Sequence, residues 1–172
     1  SLPSKNKDYA QTAHSFSFFF YRTKSNYDLA IKYGKIEVKT LDSLKIIDED
    51  HTNAYYNLGK FYTRKNKFHK GIKYFKKAII SNKFPFKVAQ SYCKLGDCYF
   101  RLGDYYKSID FYLKGLPLLE KHGTRRSILF HYVMFSYNCN QMQTKESTTL
   151  GIKYLMRGDS IIRNTSNLKA RE

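Results

Sequence analysis

The sequence predicts an all-α protein, a right-handed α-solenoid of about four helical hairpins and eight helices. Three observations carry that prediction. One pattern is written twice between His51 and Glu120: Tyr55, Leu58, Gly59, Tyr62, Phe68, Gly71, Phe75 and Ala78 fall on Tyr92, Leu95, Gly96, Tyr99, Tyr105, Ser108, Tyr112 and Gly115, always 37 residues apart. A fixed period of this size marks stacked units, each a supersecondary element that cannot bury its apolar face alone. Within a unit, Leu58, Gly59 and Tyr62 share one helical face, and Ile72, Phe75, Ala78 and Ile79 another, at intervals of three and four. Finally, 16 Tyr and 13 Phe against 9 Gly and 3 Pro suit packed helices better than a turn-rich β architecture.

Taken in order, residues 1–8 (SLPSKNKD) read as a polar lead-in. Tyr9 to Arg22 forms a helix, Thr23-Lys24-Ser25-Asn26 a turn, and Tyr27 to about Ile47 a longer second helix. This pair is a degenerate first unit, with Ser17-Phe18 where later units have Leu-Gly. Asp48-Glu49-Asp50 opens the next helix, its charges complementing the N-terminal dipole. Arg64-Lys65-Asn66-Lys67 and Arg101-Leu102-Gly103-Asp104 are equivalent turns, and small residues at Gly59, Gly71, Gly96 and Ser108 allow close helix approach. Pro85 separates the two clear units, and Pro117 is expected to bend or end the sixth helix early. Gly123 reads as a helix C-terminal cap. Ser127 to Asn140 and a helix from Gly151 complete a fourth unit, joined by a turn near Gln141 to Thr148 that reads as longer than the others; Asn164 to Glu172 reads as a fraying tail. The chain 1–172 is thus expected to be a single domain with units near 9–47, 51–82, 86–121 and 125–163.

Catalytic chemistry finds no foothold. Five His are scattered without an i,i+4 pair, no Gly-rich phosphate loop occurs, and no Ser, Thr or Cys sits in a nucleophile motif. The chain reads as non-enzymatic, without metal or cofactor. Cys93 and Cys98 point apart on one helix and with Cys139 read as buried thiols, which favours a reducing compartment. No apolar run approaches the roughly 18 residues of a membrane span, so this segment is not expected to insert in a membrane. The chain does not begin with Met and is expected to be a segment of a longer protein.

Charge is the other prominent feature. Thirty-one Lys and Arg against 14 Asp and Glu give a net charge of +17, and His51 to Gly96 holds eleven Lys and Arg with no acid. That block reads either as an attraction for acidic partners or as a solvated lysine surface.

The doubled pattern of a large residue, Leu-Gly and Tyr, then a small residue, an aromatic and Ala, resembles the tetratricopeptide repeat (TPR). The resemblance implies a concave groove lined by the first helix of each unit, used to hold a peptide or protein segment. It places Phe19 and Arg22, then Asn53, Tyr56, Asn57, Lys60 and Arg64, then Lys94, Asp97 and Arg101, and finally His131 along that groove. Asn57 would hydrogen-bond a ligand backbone, the cations would meet acidic groups and Phe19 would offer an apolar wall. Asn57 and Lys94 match the subclass that clamps chaperone-tail carboxylates, but Ser15, Phe19 and Gln90 depart from it. The phrases SLPSKNKDYAQ, YDLAIKYG and LLEKHGTRRSI are similar to repeat arrays that precede a histidine kinase or helix-turn-helix output domain in bacterial signalling proteins. This implies a regulatory input region, cytoplasmic, or periplasmic in a sensor kinase. The competing readings are nucleic-acid binding through the basic, aromatic surface and homodimer formation through the terminal units.

Overall fold

A computed structural model describes residues 6–23, 26–45 and 47–169, with side chains as far as residue 163. Residues 1–5 of the lead-in, part of the first turn and the last three residues of the tail lie outside it. Among the described residues eight helices follow one another: α1 (Lys7–Thr23), α2 (Tyr27–Ser43), α3 (Glu49–Arg64), α4 (Phe68–Ser81), α5 (Pro85–Arg101), α6 (Tyr105–His122), α7 (Arg125–Gln141) and α8 (Lys145–Lys169). No strand occurs among the described residues. Each helix packs on the next, and α3 also packs on α5, so first helices of neighbouring hairpins form an inner layer.

The 37-residue period reappears as repeated contacts. Tyr62 stacks on Tyr74 at 5.4 Å between ring centroids, and Tyr99 on Phe111 at 5.2 Å, each pair within 5° of parallel. Lys70 lies over Tyr62 as Lys107 lies over Tyr99. Leu58 and Leu95 are fully buried. Gly59 faces the Phe75 ring so closely that a Cβ would lie 2.8 Å from it, and Gly96 lies under the Tyr112 ring in the same way. Ser108 Oγ then donates to the Gly96 carbonyl at 2.8 Å, and in the last hairpin Ser136 Oγ donates to that of Gly151 at 2.7 Å. Two apolar clusters result, one from α1 to α5 and one from α5 to α8, with α5 in both.

Local signals explain most helix ends. Asp48 caps α3, accepting from the His51 N–H at 3.1 Å, and Asp104 and Thr124 cap α6 and α7. The hairpin turns Lys65–Lys67, Leu102–Asp104 and Met142–Thr144 each hold three residues with a left-handed central one: Asn66, Gly103 and Gln143. The last turn is therefore no longer than the others. The second helix ends at Ser43 instead of near Ile47, where Lys45 takes a positive φ of 54°. Asn82, left-handed, ends α4, and Pro85 opens α5 at a position where its missing N–H costs nothing.

Pro117 neither ends α6 nor divides it. It is exposed while Leu116 and Leu119 beside it are fully buried, so packing holds both sides and the orphaned carbonyl can face water. Helix α8 continues past Asn164 to Lys169, and residues 170–172 of the expected tail lie outside the described residues.

Gly59→Ala should lower stability by about 1–3 kcal/mol, because the fully buried Phe75 ring has nowhere to retreat. At Gly158 in α8 an added Cβ meets only ordinary contacts of 3.4–3.5 Å, so Gly158→Ala should be neutral or stabilising by up to about 1 kcal/mol. Urea denaturation of both variants checks the contrast.

Candidate functional site

Asn53, Asn57, Lys60 and Arg64 follow one another at four, three and four residues, a spacing that keeps them on one face of α3. That face, with the equivalent faces of α5 and α7, bounds a cleft of about 340 Å³. Its cations are Lys60 and Arg64 from α3 and Lys94 and Arg101 from α5. Phe100, Phe130 and Tyr137 supply aromatic surface, Phe100 and Tyr137 meeting across α5 and α7 at 5.6 Å. Phe130 and Tyr137 are each about half exposed.

The two central lysines differ. Lys94 Nζ lies 2.7 Å from Asp97, and Asp97 also accepts the Tyr112 hydroxyl. Burial works against the Lys94 charge, but Asp97 outweighs it and raises the pKa to about 12. Lys60 has no such support. Burial, then Lys94, Arg64 and Arg22, depress its pKa to about 8. Aromatic faces partly compensate, with Nζ 4.4 Å from the Tyr21 ring centroid and 5.6 Å from that of Phe18. Lys87 repeats the pattern: burial and Lys60 lower its pKa to about 8, and it sits 4.5 Å over Tyr56.

The cleft thus gathers Lys60, Arg64, Lys94, Asp97 and Arg101. Phe19, about half exposed, lines a separate cavity with Thr12, Ser15 and Phe16, while Phe18, Phe20 and Tyr21 pack against the core. Arg22 is exposed nearby on α1, and Asn53 lines a third cavity toward the start of α3. Three expected contacts are not open surface: Tyr56, Asn57 and His131 are 6%, 2% and 3% exposed. Helix α3 is covered by α2, α4 and α5 together, and Lys87 lies across Tyr56, so Tyr56 and Asn57 are enclosed although Lys60 and Arg64 reach the cleft. The Asn57 amide nitrogen nonetheless has no hydrogen-bond partner.

The sequence reading missed a part-buried pair, half-buried His14 with buried Glu37, joined at 2.8 Å between α1 and α2. Glu37 stands in the apolar stripe Ala30, Gly34, Val38 and Leu41, and a carboxylate in that stripe was the available signal. It likewise missed His51 and Tyr55 converging on Asp42, each at 2.6 Å.

The three cysteines are buried and free, and burial raises the Cys98 thiol to about 12 and that of Cys139 to about 11. Among the described residues no group of three His, Cys, Asp or Glu gathers to hold a metal, and no helix is long and apolar enough to cross a membrane.

Stacked hairpins whose first helices bound an open inner face define a helical-repeat solenoid. Residues 50–121 match the tetratricopeptide repeat family, so this stretch is a run of tetratricopeptide repeats. The chain is also similar to the TPR domain of Arabidopsis FLU, at 24% identity and TM-score 0.61 over 67% of this chain and 98% of that one. BtubC from P. vanneervenii aligns at 13% identity and TM-score 0.77 over 95% and 68%. A Rap protein, solved in complex with Competence and Sporulation Factor, aligns at 11% identity and TM-score 0.73 over 90% of this chain and 43% of that one. No match was found among curated protein sequences.

Lys94→Met should destabilise the fold by about 1.5–3 kcal/mol, since it leaves Asp97 without its cation. Lys60→Met should be neutral or stabilising. With folded pKa values near 8 against 10.5 unfolded, Lys60 and Lys87 leave the unfolded chain holding more protons between those pH values, so both make stability rise with pH there. Lys60→Met should reduce that rise. Urea midpoints of variant and parent from pH 7.5 to about 9.5 test this; above pH 10 Tyr55, whose hydroxyl burial pushes well above its ordinary range, acts in the opposite direction.

Proposed function

We propose that this chain is a non-catalytic interaction module that holds an acidic, extended peptide or protein segment along its inner face. The observation that carries the reading is Lys60, a cation kept partly out of water among other cations in an open cleft. A ligand carboxylate there supplies the counter-charge that the fold omits, and Phe130 and Tyr137 offer apolar purchase beside it. The Rap protein, similar in fold and solved with Competence and Sporulation Factor, fits a partner-binding role. On the same reading the chain acts as one unit, the input region of a bacterial signalling or transcription-regulating protein. Sequence flanking the chain tests that wider assignment: a kinase or helix-turn-helix domain supports it, and an unrelated catalytic domain opposes it.

Lys94 belongs to the fold as much as to the cleft, so the informative substitutions are at Lys60, Arg64 and Arg101. Fluorescence anisotropy with labelled peptides rich in Asp, Glu and Leu should show binding that weakens as salt rises. The triple alanine variant should bind at least about tenfold more weakly, the loss of two or three partly exposed charge contacts. Affinity should also fall between pH 7 and 9 as Lys60 discharges. Unchanged affinity in the triple variant, or tighter binding of random oligonucleotides than of acidic peptides at matched salt, would discard the reading.

A further inference from the structure

The cavity lined by Asn53 lies where α1, α2 and the start of α3 meet, with a volume of about 290 Å³. Drug-sized ligands occupy pockets of about 300–1,000 Å³, so this space suits a single side chain better than a whole ligand. Its lining includes two carboxylates, Glu37 and Asp50, with Gln11, Ser15 and Asn53 as neutral polar groups. Lys7 at the same cavity is already engaged, 3.0 Å from Asp48 and 3.2 Å from Asp50.

Glu37 is the informative residue. It is 4% exposed, and its Oε1 meets His14 Nδ1 at 2.8 Å while its Oε2 has no hydrogen-bond partner in the protein. Burial raises its carboxyl pKa, the His14 contacts offsetting this only in part. A buried carboxylate with one oxygen unmet is costly unless a cation or donor reaches it.

We propose that this cavity is a subsite for a lysine side chain of the ligand, its ammonium donating to Glu37 Oε2 and drawn by Asp50, its methylenes lying on Ala10 and Leu41. The inference rests on the peptide-groove reading and deepens it, because Asn53 at this cavity and Lys60 at the cleft share one face of α3. Seven residues of helix separate them by about 10 Å. An extended peptide covers that distance in about three residues at 3.3–3.6 Å each. The groove therefore selects a peptide with a lysine about three positions from an acidic residue, which also fixes the direction in which the ligand lies.

The test is a ¹H–¹⁵N NMR titration of the whole chain with N-acetyl-lysine methylamide, with N-acetyl-norleucine methylamide as the uncharged control. Shifts at Gln11, Ser15 and Asn53 with the lysine probe alone are expected. Glu37→Gln, which keeps the size and a hydrogen bond to His14, should weaken them about tenfold. Asp50→Asn on the exposed rim should weaken them less, and it provides a second readout if Glu37→Gln loses its dispersed spectrum. Equal shifts from norleucine, no shifts from lysine at millimolar concentration, or full binding by a folded Glu37→Gln would overturn the subsite. The acidic peptides are titrated separately: their binding alone leaves the cleft reading standing without the subsite, and lysine binding alone does the reverse.

Discussion

The solenoid depends on two helices coming close enough for an aromatic ring to fill the space where a side chain is missing. Phe75 occupies that space over Gly59, and Tyr112 over Gly96. An isolated pair of amphipathic helices would leave one face of each wet, and hydrophobic burial alone would not fix their rotation. The ring against the glycine does fix it, since neither helix can turn without opening a void or forcing a clash. Once rotation is set in consecutive hairpins, the first helices align and the faces carrying Lys60 and Arg64 and carrying Lys94 and Arg101 come to bound one cleft.

The same interlock reaches the electrostatics. Tyr112 fills the Gly96 space with its ring and donates its hydroxyl to Asp97, which in turn holds Lys94. One cleft cation is thereby tied to the packing of its hairpin. At the position equivalent to Tyr112 the preceding repeat has Phe75, which carries no hydroxyl, and at the position equivalent to Asp97 it has Lys60. The first copy therefore has neither the acid nor the phenol that steadies Lys94, and aromatic faces alone support its lysine. Three differences between the copies, Asn57 for Lys94, Lys60 for Asp97 and Phe75 for Tyr112, replace a paired charge with an unpaired one.

Elements with strong periodicity were legible in the sequence. The 37-residue offset located the paired tyrosines, the small residues and the buried leucines before any coordinates, because each is a local demand repeated twice. Helix ends were less legible. Pro117 suggested a break, yet buried leucines beside it keep α6 whole, a tertiary effect that no local signal records. The long turn expected near Gln141 came from weak patterning in α7 and α8; Gln143 takes the left-handed position that Gly103 fills in the preceding turn. Within the groove, helical spacing gave the face on which each residue lies but not its depth. Tyr56, Asn57 and His131 lie on it and are covered by neighbours contributed from elsewhere in the chain. The pairing of His14 with Glu37 spans two helices and was invisible to any reading of one helix at a time, although the position of Glu37 in an apolar stripe announced that something had to answer its charge.

That requirement links the two ends of the inner face. Burial leaves Lys60 short of negative charge and Glu37 Oε2 without a hydrogen-bond donor, and the protein does not bring them together: α3 places Asn53 by one cavity and Lys60 by the other, about 10 Å apart along its axis. Two mismatched charges left apart cost stability that a direct ion pair would recover, unless an outside chain completes both. A groove with one acidic and one basic deficiency distinguishes the two directions of a bound peptide, which a uniformly cationic wall does not. On the proposed reading, the stability forgone at Lys60 and Glu37 is what makes the inner face selective, since a ligand recovers it only when its own charges arrive in the matching order.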